Sequence, residues 1–335
     1  MFRVPLLEHI LSPKIQNASL DSWVERLVEF GLEFKAVTIF SFLFGVGIAI
    51  QIERAEAAKI DVARFLIRRL TWLCLFGVVH MLLIWDGDIL VLYAVCGLML
   101  LPVLRLSWPA AVIVGAILLA IPEFVSLPLS LPSGMSASMQ IQQAREIYGS
   151  GNFLEILRFR WHETRLLILP LLAGILPRTL ALILWGTAGW RSSVLRQPSQ
   201  HRRKLVLAFI CGLTAVVVQG SRFPAIVATA YLSGLLLLLP VMGLSRVQSL
   251  AATGRMAITN YLLQSIVLGF VFYGYGFSLL GRLKSAQAVG IGLAFYILQV
   301  KTSTRWLRSF RFGPVEWAWR SLTYWRRQPM RLVRS

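Results

Sequence analysis

Apolar stretches long enough to cross a membrane recur along almost the whole chain, and no other feature limits its fold as severely. A hydrocarbon core of about 30 Å takes roughly 20 apolar helical residues to cross. Inside it the backbone must satisfy its own hydrogen bonds, which leaves helices as the natural form for such stretches. The spans read from the sequence run from about Phe34 to Ile52, Leu70 to Trp85, Ile89 to Leu104, Ala110 to Leu127 and Leu166 to Trp190. They continue from about Leu205 to Val218, Pro224 to Met242, Met256 to Leu279 and Ala286 to Val300. The expected fold is all-α, a polytopic transmembrane helix bundle of about nine spans, within a range of eight to ten. Composition agrees: 57% of the 335 residues are hydrophobic and 15% charged, where an ordinary soluble domain carries about a quarter charged residues.

The net charge of +19 could point to nucleic acid, but its distribution excludes that partner. Most Lys and Arg sit in short segments flanking the spans, where they set topology and meet lipid headgroups. Alternate connections (54–69, 105, 191–204, 246–255 and the tail from 301) hold 22 of the 34 basic residues. By the positive-inside rule this side is cytoplasmic, which places the tail inside and the N-terminus outside. The expected partners are membrane lipids, with anionic headgroups at the cytoplasmic face.

The expected organisation has three parts: an N-terminal amphipathic segment (1–33), the bundle (34–304) and a basic cytoplasmic tail (305–335). A polar extracytoplasmic segment interrupts the bundle near 128–164, with a surface helix expected over Met139 to Arg160. In the first part, Leu20 to Glu33 reads as an amphipathic helix with an apolar stripe of Trp23, Leu27, Val28 and Leu32. In the tail, Gly313-Pro314 opens a short helix, whose Val315, Trp319 and Leu322 share a face expected to lie on the inner leaflet. Cys74, Cys96 and Cys211 each fall inside a span without CxxC spacing, so no disulfide framework or zinc site is expected.

Two regions carry a family resemblance. The first begins at Phe40-Ser41-Phe42-Leu43-Phe44-Gly45 and continues in His80-Met81-Leu82-Leu83-Ile84-Trp85-Asp86-Gly87-Asp88-Ile89-Leu90, with Tyr93 after it. The second runs from Gly254-Arg255-Met256-Ala257-Ile258-Thr259-Asn260-Tyr261-Leu262-Leu263-Gln264-Ser265 through Phe272-Tyr273-Gly274-Tyr275-Gly276 to Phe312-Gly313-Pro314-Val315-Glu316-Trp317. Together these resemble the YeiB-like family of bacterial integral membrane proteins, a domain-of-unknown-function family. The family is distantly similar to transmembrane acyltransferases that act on extracytoplasmic sugars. The resemblance implies a multi-pass protein of the bacterial cytoplasmic (inner) membrane. It also implies an extra first helix with an Asp-x-x-Arg-Gly-like element, and nothing equivalent precedes Phe34. A truncated or mis-started chain would have ten spans in full and an inside N-terminus, with the loop orientation unchanged.

The candidate catalytic residues are His80, Asp86 and Asp88. His80 lies five residues before the end of its span, about 8 Å below the boundary at ~1.5 Å rise per residue, and the two acids sit at the outer interface. Ionisable groups within a membrane are costly and point by default to function. His80 would act as general base on an acceptor hydroxyl, with Asp88 or Asp86 orienting its imidazole. The plainer alternative is a histidine bonded to a neighbouring helix beside two solvated acids.

Arg178 is the first candidate for substrate binding, because a guanidinium near mid-span would meet a carboxylate or phosphate, or pair with an acid of the bundle. Asn260 and Gln264, one turn apart, would contact ligand or bond between helices. Arg255 would meet substrate or lipid phosphate. Tyr273 and Tyr275 read as an aromatic belt. No nucleotide, metalloprotease or nucleophile-elbow motif is present, and no metal site is expected. The leading reading is an acyltransferase-like protein acting on an envelope or lipid-linked substrate, with an acyl donor such as acyl-CoA required in that case alone. A transporter or efflux component, or a non-catalytic membrane scaffold, are the alternatives.

Overall fold

The computed structural model describes residues 5, 8, 20–31, 35–103, 106–124, 137–219 and 224–332. Arg105 and residues 125–136, at the start of the expected polar segment, lie outside the described residues. Among the described residues there is no β-strand, and the expected all-α class holds. The helices are α1 (Leu20–Gly31), α2 (Lys35–Ala57), α3 (Val62–Leu83), α4 (Leu90–Met99), α5 (Trp108–Phe124), α6 (Ala137–Ser150) and α7 (Phe153–Arg191). They continue as α8 (Arg202–Gln219), α9 (Pro224–Leu238), α10 (Leu244–Arg255), α11 (Ala257–Phe272), α12 (Ser285–Trp306) and α13 (Pro314–Tyr324).

Two of these, α2 and α3, are long and apolar enough to cross a membrane, and the pair α10–α11 adds a third if it counts as one broken span. Shorter apolar helices cover Leu90–Met99, Trp108–Ile121 and Ala228–Val241. The described helices do not by themselves establish a count of nine. Their surfaces nonetheless fit lipid: Phe40, Leu75, Ile117, Leu207, Phe270 and Leu293 are all exposed, and large apolar surface of this kind marks contact with a membrane or a partner.

Helices α2 and α7 cross at reciprocal glycines. An added Cβ at Gly45 would overlap the Ile183 carbonyl, and one at Gly186 would overlap that of Phe42. The core around this crossing contains Leu66, Leu70, Leu73, Ala94, Leu100 and Ile183. A second cluster joins Trp85, Tyr148, Ile156, Phe272 and Tyr273. Helix α3 starts where the Asp61 carboxylate accepts the Arg64 N–H at 3.1 Å, a side-chain N-cap that satisfies one orphan donor.

The structure changes four sequence expectations. The helix expected over Met139–Arg160 is two helices, α6 and the start of α7. Asn152 and Glu155 form a reciprocal capping box that starts α7 afresh. Helix α7 then continues for 39 residues, through Pro170 and Pro177. The connection holding Arg246 and Arg255 is helix α10, bent by 76° against α11. Helix α11 ends at Phe272, before the expected Leu279, because the chain folds back: Phe277 N–H donates to Phe270 O at 2.9 Å and Leu280 N–H to Phe272 O at 2.9 Å.

The tail helix α13 does begin at Pro314, with Gly313 as its N-cap, but it docks on the bundle rather than only on lipid. Trp319 is buried, its indole donating to Arg69 O at 2.8 Å, with the Arg69 guanidinium 3.6 Å above the ring. Glu316 accepts the Ile258 and Thr259 N–H groups at 2.7 and 3.0 Å. It thereby satisfies orphan donors at the start of α11.

Helix α1 is turned the other way from a soluble amphipathic helix. Its polar side meets the start of α12, where Asp21 accepts the Ala286 N–H at 3.1 Å and Glu25 accepts the Ser285 hydroxyl. Trp23 and Leu27 face outward, 65% and 71% exposed, as a lipid-facing stripe would be.

Candidate functional site

The sharpest polar arrangement sits at the hairpin between α3 and α4. The turn Asp86-Gly87-Asp88 reverses the chain, and Asp88 stands just before α4, its Oδ2 accepting the Val91 N–H at 2.8 Å. Its Oδ1 lies 2.8 Å from His80 Nδ1, and both side chains are completely buried. Gly77, one turn before His80, makes room for the pair, because a Cβ there would come within 2.9 Å of Asp88 Oδ2.

With Asp88 accepting at Nδ1, the imidazole is held in the tautomer whose lone pair is on Nε2. That Nε2 is buried and has no hydrogen-bond partner among the described residues. The Tyr261 ring of α11 packs 4.8 Å from the imidazole, and Trp85 meets it edge-on at 6.3 Å.

Asp86 takes a different role from Asp88. It lies in the electrostatic reach of Arg160, whose side chain is buried and whose Nη1 approaches Leu82 O at 3.5 Å. Burial pushes the Asp86 carboxyl above the usual carboxylate range, with Arg160, its own loop N–H groups and His80 pulling partly back. One turn along α7, before the residues read as a span, buried Glu163 accepts the Tyr148 hydroxyl at 2.7 Å. Burial, reinforced by Asp86, pushes Glu163 up to about 8. Tyr148 and Tyr273 pack at 5.1 Å, with the Arg160 guanidinium about 6 Å from each ring.

The Arg160 guanidinium therefore lies within electrostatic reach of both Asp86 and Glu163, beside the His80–Asp88 pair. Among the described residues, the buried polar atoms without hydrogen-bond partners include His80 Nε2, Arg160 Nε and Nη2 and Thr164 Oγ1 in this region. Such atoms are uncommon in native interiors and call for a functional or solvent-based explanation.

The structure thus brings His80, Asp86 and Asp88 together and divides the acids between two partners. It does not gather the other candidates around them. Arg178 lies on an exposed face of α7. Asn260 is buried in helix-to-helix bonding: its Nδ2 donates to Thr253 O at 3.2 Å and to Ser303 Oγ at 3.0 Å, and Gln299 Nε2 donates to its backbone carbonyl at 2.8 Å. Arg255 is exposed and donates to Arg311 O at 3.0 Å, tying α10 to the tail. Gln264 is half-buried on α11.

Sequence reasoning missed Arg160, Glu163, Tyr148 and Tyr261. The signal is an Arg and a Glu one helical turn apart near the end of the polar segment 128–164, Arg160 closing the expected surface helix and Glu163 beyond it. Tyr273, expected in an aromatic belt, is 4% exposed and packed against Tyr148. Among the described residues no His, Cys, Asp and Glu group could hold a metal ion.

The family described as "Protein of unknown function (DUF418)" matches residues 214–326. The chain is 33% identical to the uncharacterized protein YxaH of Bacillus subtilis (strain 168), over 94% of this chain and 87% of that protein. It is 31% identical to an uncharacterized 39.9 kDa protein in the amylase 3' region of Bacillus acidopullulyticus, over 95% and 88% respectively. It is 28% identical to the uncharacterized protein YeiB of Escherichia coli (strain K12), over 90% and 85%. No solved structure matches.

Proposed function

This chain belongs to the YeiB-like DUF418 family, and from that premise we propose that it transfers an acyl group to a hydroxyl of an envelope or lipid-linked substrate. In this reading it is a bundle of about nine spans in the bacterial inner membrane, with its basic tail in the cytoplasm. The observation that carries the proposal is the buried His80–Asp88 pair at 2.8 Å, with His80 Nε2 unpartnered. A carboxylate fixing the far nitrogen of an imidazole is the arrangement a general base requires.

His80 Nε2 takes the proton from the acceptor hydroxyl as its oxygen attacks the carbonyl of a donor thioester such as acyl-CoA. The C–O bond forms and the C–S bond breaks. The departing thiolate receives that proton back from the imidazolium, so His80 ends as it began. Asp88 holds the tautomer and stabilises the transient cation. Tyr261 walls the imidazole, and Arg160 with Asp86 lies beside the reacting end of the hairpin.

The test is mass spectrometry of envelope lipids and glycans from cells with and without the protein. An acyl mass shift that requires the wild-type chain and disappears with His80→Ala and Asp88→Asn supports the reading. Undiminished product from His80→Ala at equal protein level removes the catalytic role.

A transporter reading draws on a different observation, the 76° break between α10 and α11, since discontinuous spans mark many transport sites. Substrate flux across vesicles without any covalent product would favour it.

A further inference from the structure

At the end of the bundle read as cytoplasmic lies a cavity of about 270 Å³ between α2, α7 and the α4–α5 connection. We propose that it binds the headgroup and upper chains of one zwitterionic phospholipid carrying a phosphate and a primary amine. This does not rest on the acyl-transfer reading.

The cavity follows from the helix crossing. Gly45 and Gly186 clamp α2 against α7, and beyond them the lining comes from one face of each helix. Helix α2 contributes Ala49, Ile52, Glu53 and Glu56, at i, i+3, i+4 and i+7, and α7 contributes Leu184, Thr187 and Arg191. Leu100, Val103 and Ala111 close the third wall, and Arg196 completes the rim. The lining is therefore sorted along the helix axes. Along α2 and α7 the lining passes from Ala49, Ile52 and Leu184 to Glu53, Glu56 and Arg191 at the helix ends, the order in which a lipid presents chains and headgroup.

The charges at the mouth decide the kind of headgroup. Glu53 and Glu56 oppose Arg191 and Arg196, so the formal sum is zero, although the chain as a whole carries +19. A surplus of Lys and Arg such as the connections on this side carry attracts anionic lipid without selectivity. Here Arg196 is held in place by Glu53 at 3.1 Å and by the Trp190 carbonyl at 3.1 Å. Arg191 is fixed by the Leu106 carbonyl at 2.9 Å. Glu56 has no ion-pair partner among the described residues. Two anchored guanidiniums suit a phosphate diester, and a carboxylate free to pair suits an ammonium group. An anionic headgroup would satisfy the arginines and leave Glu56 repelled, whereas one bearing both charges satisfies all of them.

The test is native mass spectrometry of the purified full-length protein in detergent. It is titrated separately with phosphatidylethanolamine, phosphatidylglycerol and soluble glycerophosphoethanolamine. Phosphatidylethanolamine should give one saturable adduct that Glu56→Gln and Arg191→Gln each weaken about fivefold, the size of one partly exposed charge contact. Phosphatidylglycerol should bind in several weak steps that Glu56→Gln leaves unchanged or strengthens. Both side chains are surface-exposed, and unchanged thermal midpoints would confirm that the variants fold. Equal binding of the two lipids, or a phosphatidylethanolamine adduct indifferent to both substitutions, overturns the proposal. Glycerophosphoethanolamine binding as tightly as the lipid would also overturn it, by assigning the cavity to a soluble phosphoamine.

Discussion

Replacing Glu163 with glutamine should make the protein less sensitive to alkaline pH, and the structure sets the size of the effect. Glu163 is 7% exposed and accepts the Tyr148 hydroxyl. Burial and the neighbouring Asp86 carry its carboxyl from 4.5 up to about 8. The native chain therefore keeps a proton that the unfolded chain has already released. Between those two values stability falls as pH rises, and above the upper one the loss is complete. The full interval corresponds to a ceiling of roughly 5 kcal/mol. Because the two acids titrate interdependently, the part that Glu163 alone contributes is smaller, about 2 kcal/mol. Glutamine reproduces the protonated carboxyl in shape and cannot ionise. In detergent, wild type and Glu163→Gln should have similar midpoints near about pH 5, with the variant ahead by ~4–8 °C near about pH 9. Parallel curves across that range, or a variant that loses ground as pH rises, would refute the account of Glu163 as a buried, protonated acid.

Three further outcomes follow from the packing. Gly45→Leu should cost at least ~3 kcal/mol and lower the yield of folded protein, because its side chain would displace the Ile183 backbone; size-exclusion profiles of detergent extracts read this directly. Glu316→Ala should remove the cap from the start of α11, cost about 1–2 kcal/mol, and speed limited proteolysis of the tail. Arg160→Met should lower the thermal midpoint by more than Arg178→Met, since the first alters a side chain buried in the interior near Asp86 while the second changes an exposed side chain; equal effects would contradict the placement of the buried charge.

Much of this was legible because it depends on local spacing. His80 and the two acids six and eight positions later lie at one helix end whatever the surrounding fold. Their meeting needed a short reversal at Gly87, where a Cβ would overlap the Trp85 ring. Which acid would face the imidazole was not legible, because it depends on Asp88 standing at the start of α4, where Val91 N–H fixes the carboxylate. Similarly, Gly45 and Gly47 looked equivalent as sites of close helix contact. Only Gly45 meets a neighbouring backbone, while a Cβ at Gly47 would touch nothing nearer than Gln51 at 3.9 Å.

Two arginines show the limit of hydropathy. Apolar residues surround Arg178 in sequence, yet a long helix has an outer face even in an apolar stretch, and Arg178 lies on an exposed face of α7. Arg160 was overlooked because its neighbours Arg158, His162 and Glu163 are polar, a pattern that reads as a solvated surface. The capping box at Asn152 turns that segment into the first turns of α7 and swings Arg160 inward. Tertiary burial of a polar segment leaves no periodic signature in sequence. Trp319 escaped for a related reason: a basic, aromatic helix suits a lipid surface, and nothing local reveals that Arg69 offers its carbonyl and guanidinium to that indole.

Helix α7 also limits how the two ends of the molecule can cooperate. Arg160 lies beside the His80 hairpin, and Arg191 stands at the mouth of the α2–α7 cavity. At ~1.5 Å rise per residue the axial distance between them is roughly 46 Å, more than the thickness of a hydrocarbon core of about 30 Å. The ester groups of a phospholipid lie next to its headgroup, so a lipid seated at Arg191 holds its acyl carbonyls nearer the opposite interface from His80. Such a lipid cannot be the donor in the proposed transfer. Acyl transfer at His80 instead requires a donor whose reactive carbonyl reaches the end of the bundle that holds the α3–α4 hairpin. Loss of the cavity charges in Glu56→Gln should consequently change lipid adducts without abolishing acyl product, whereas His80→Ala should do the reverse.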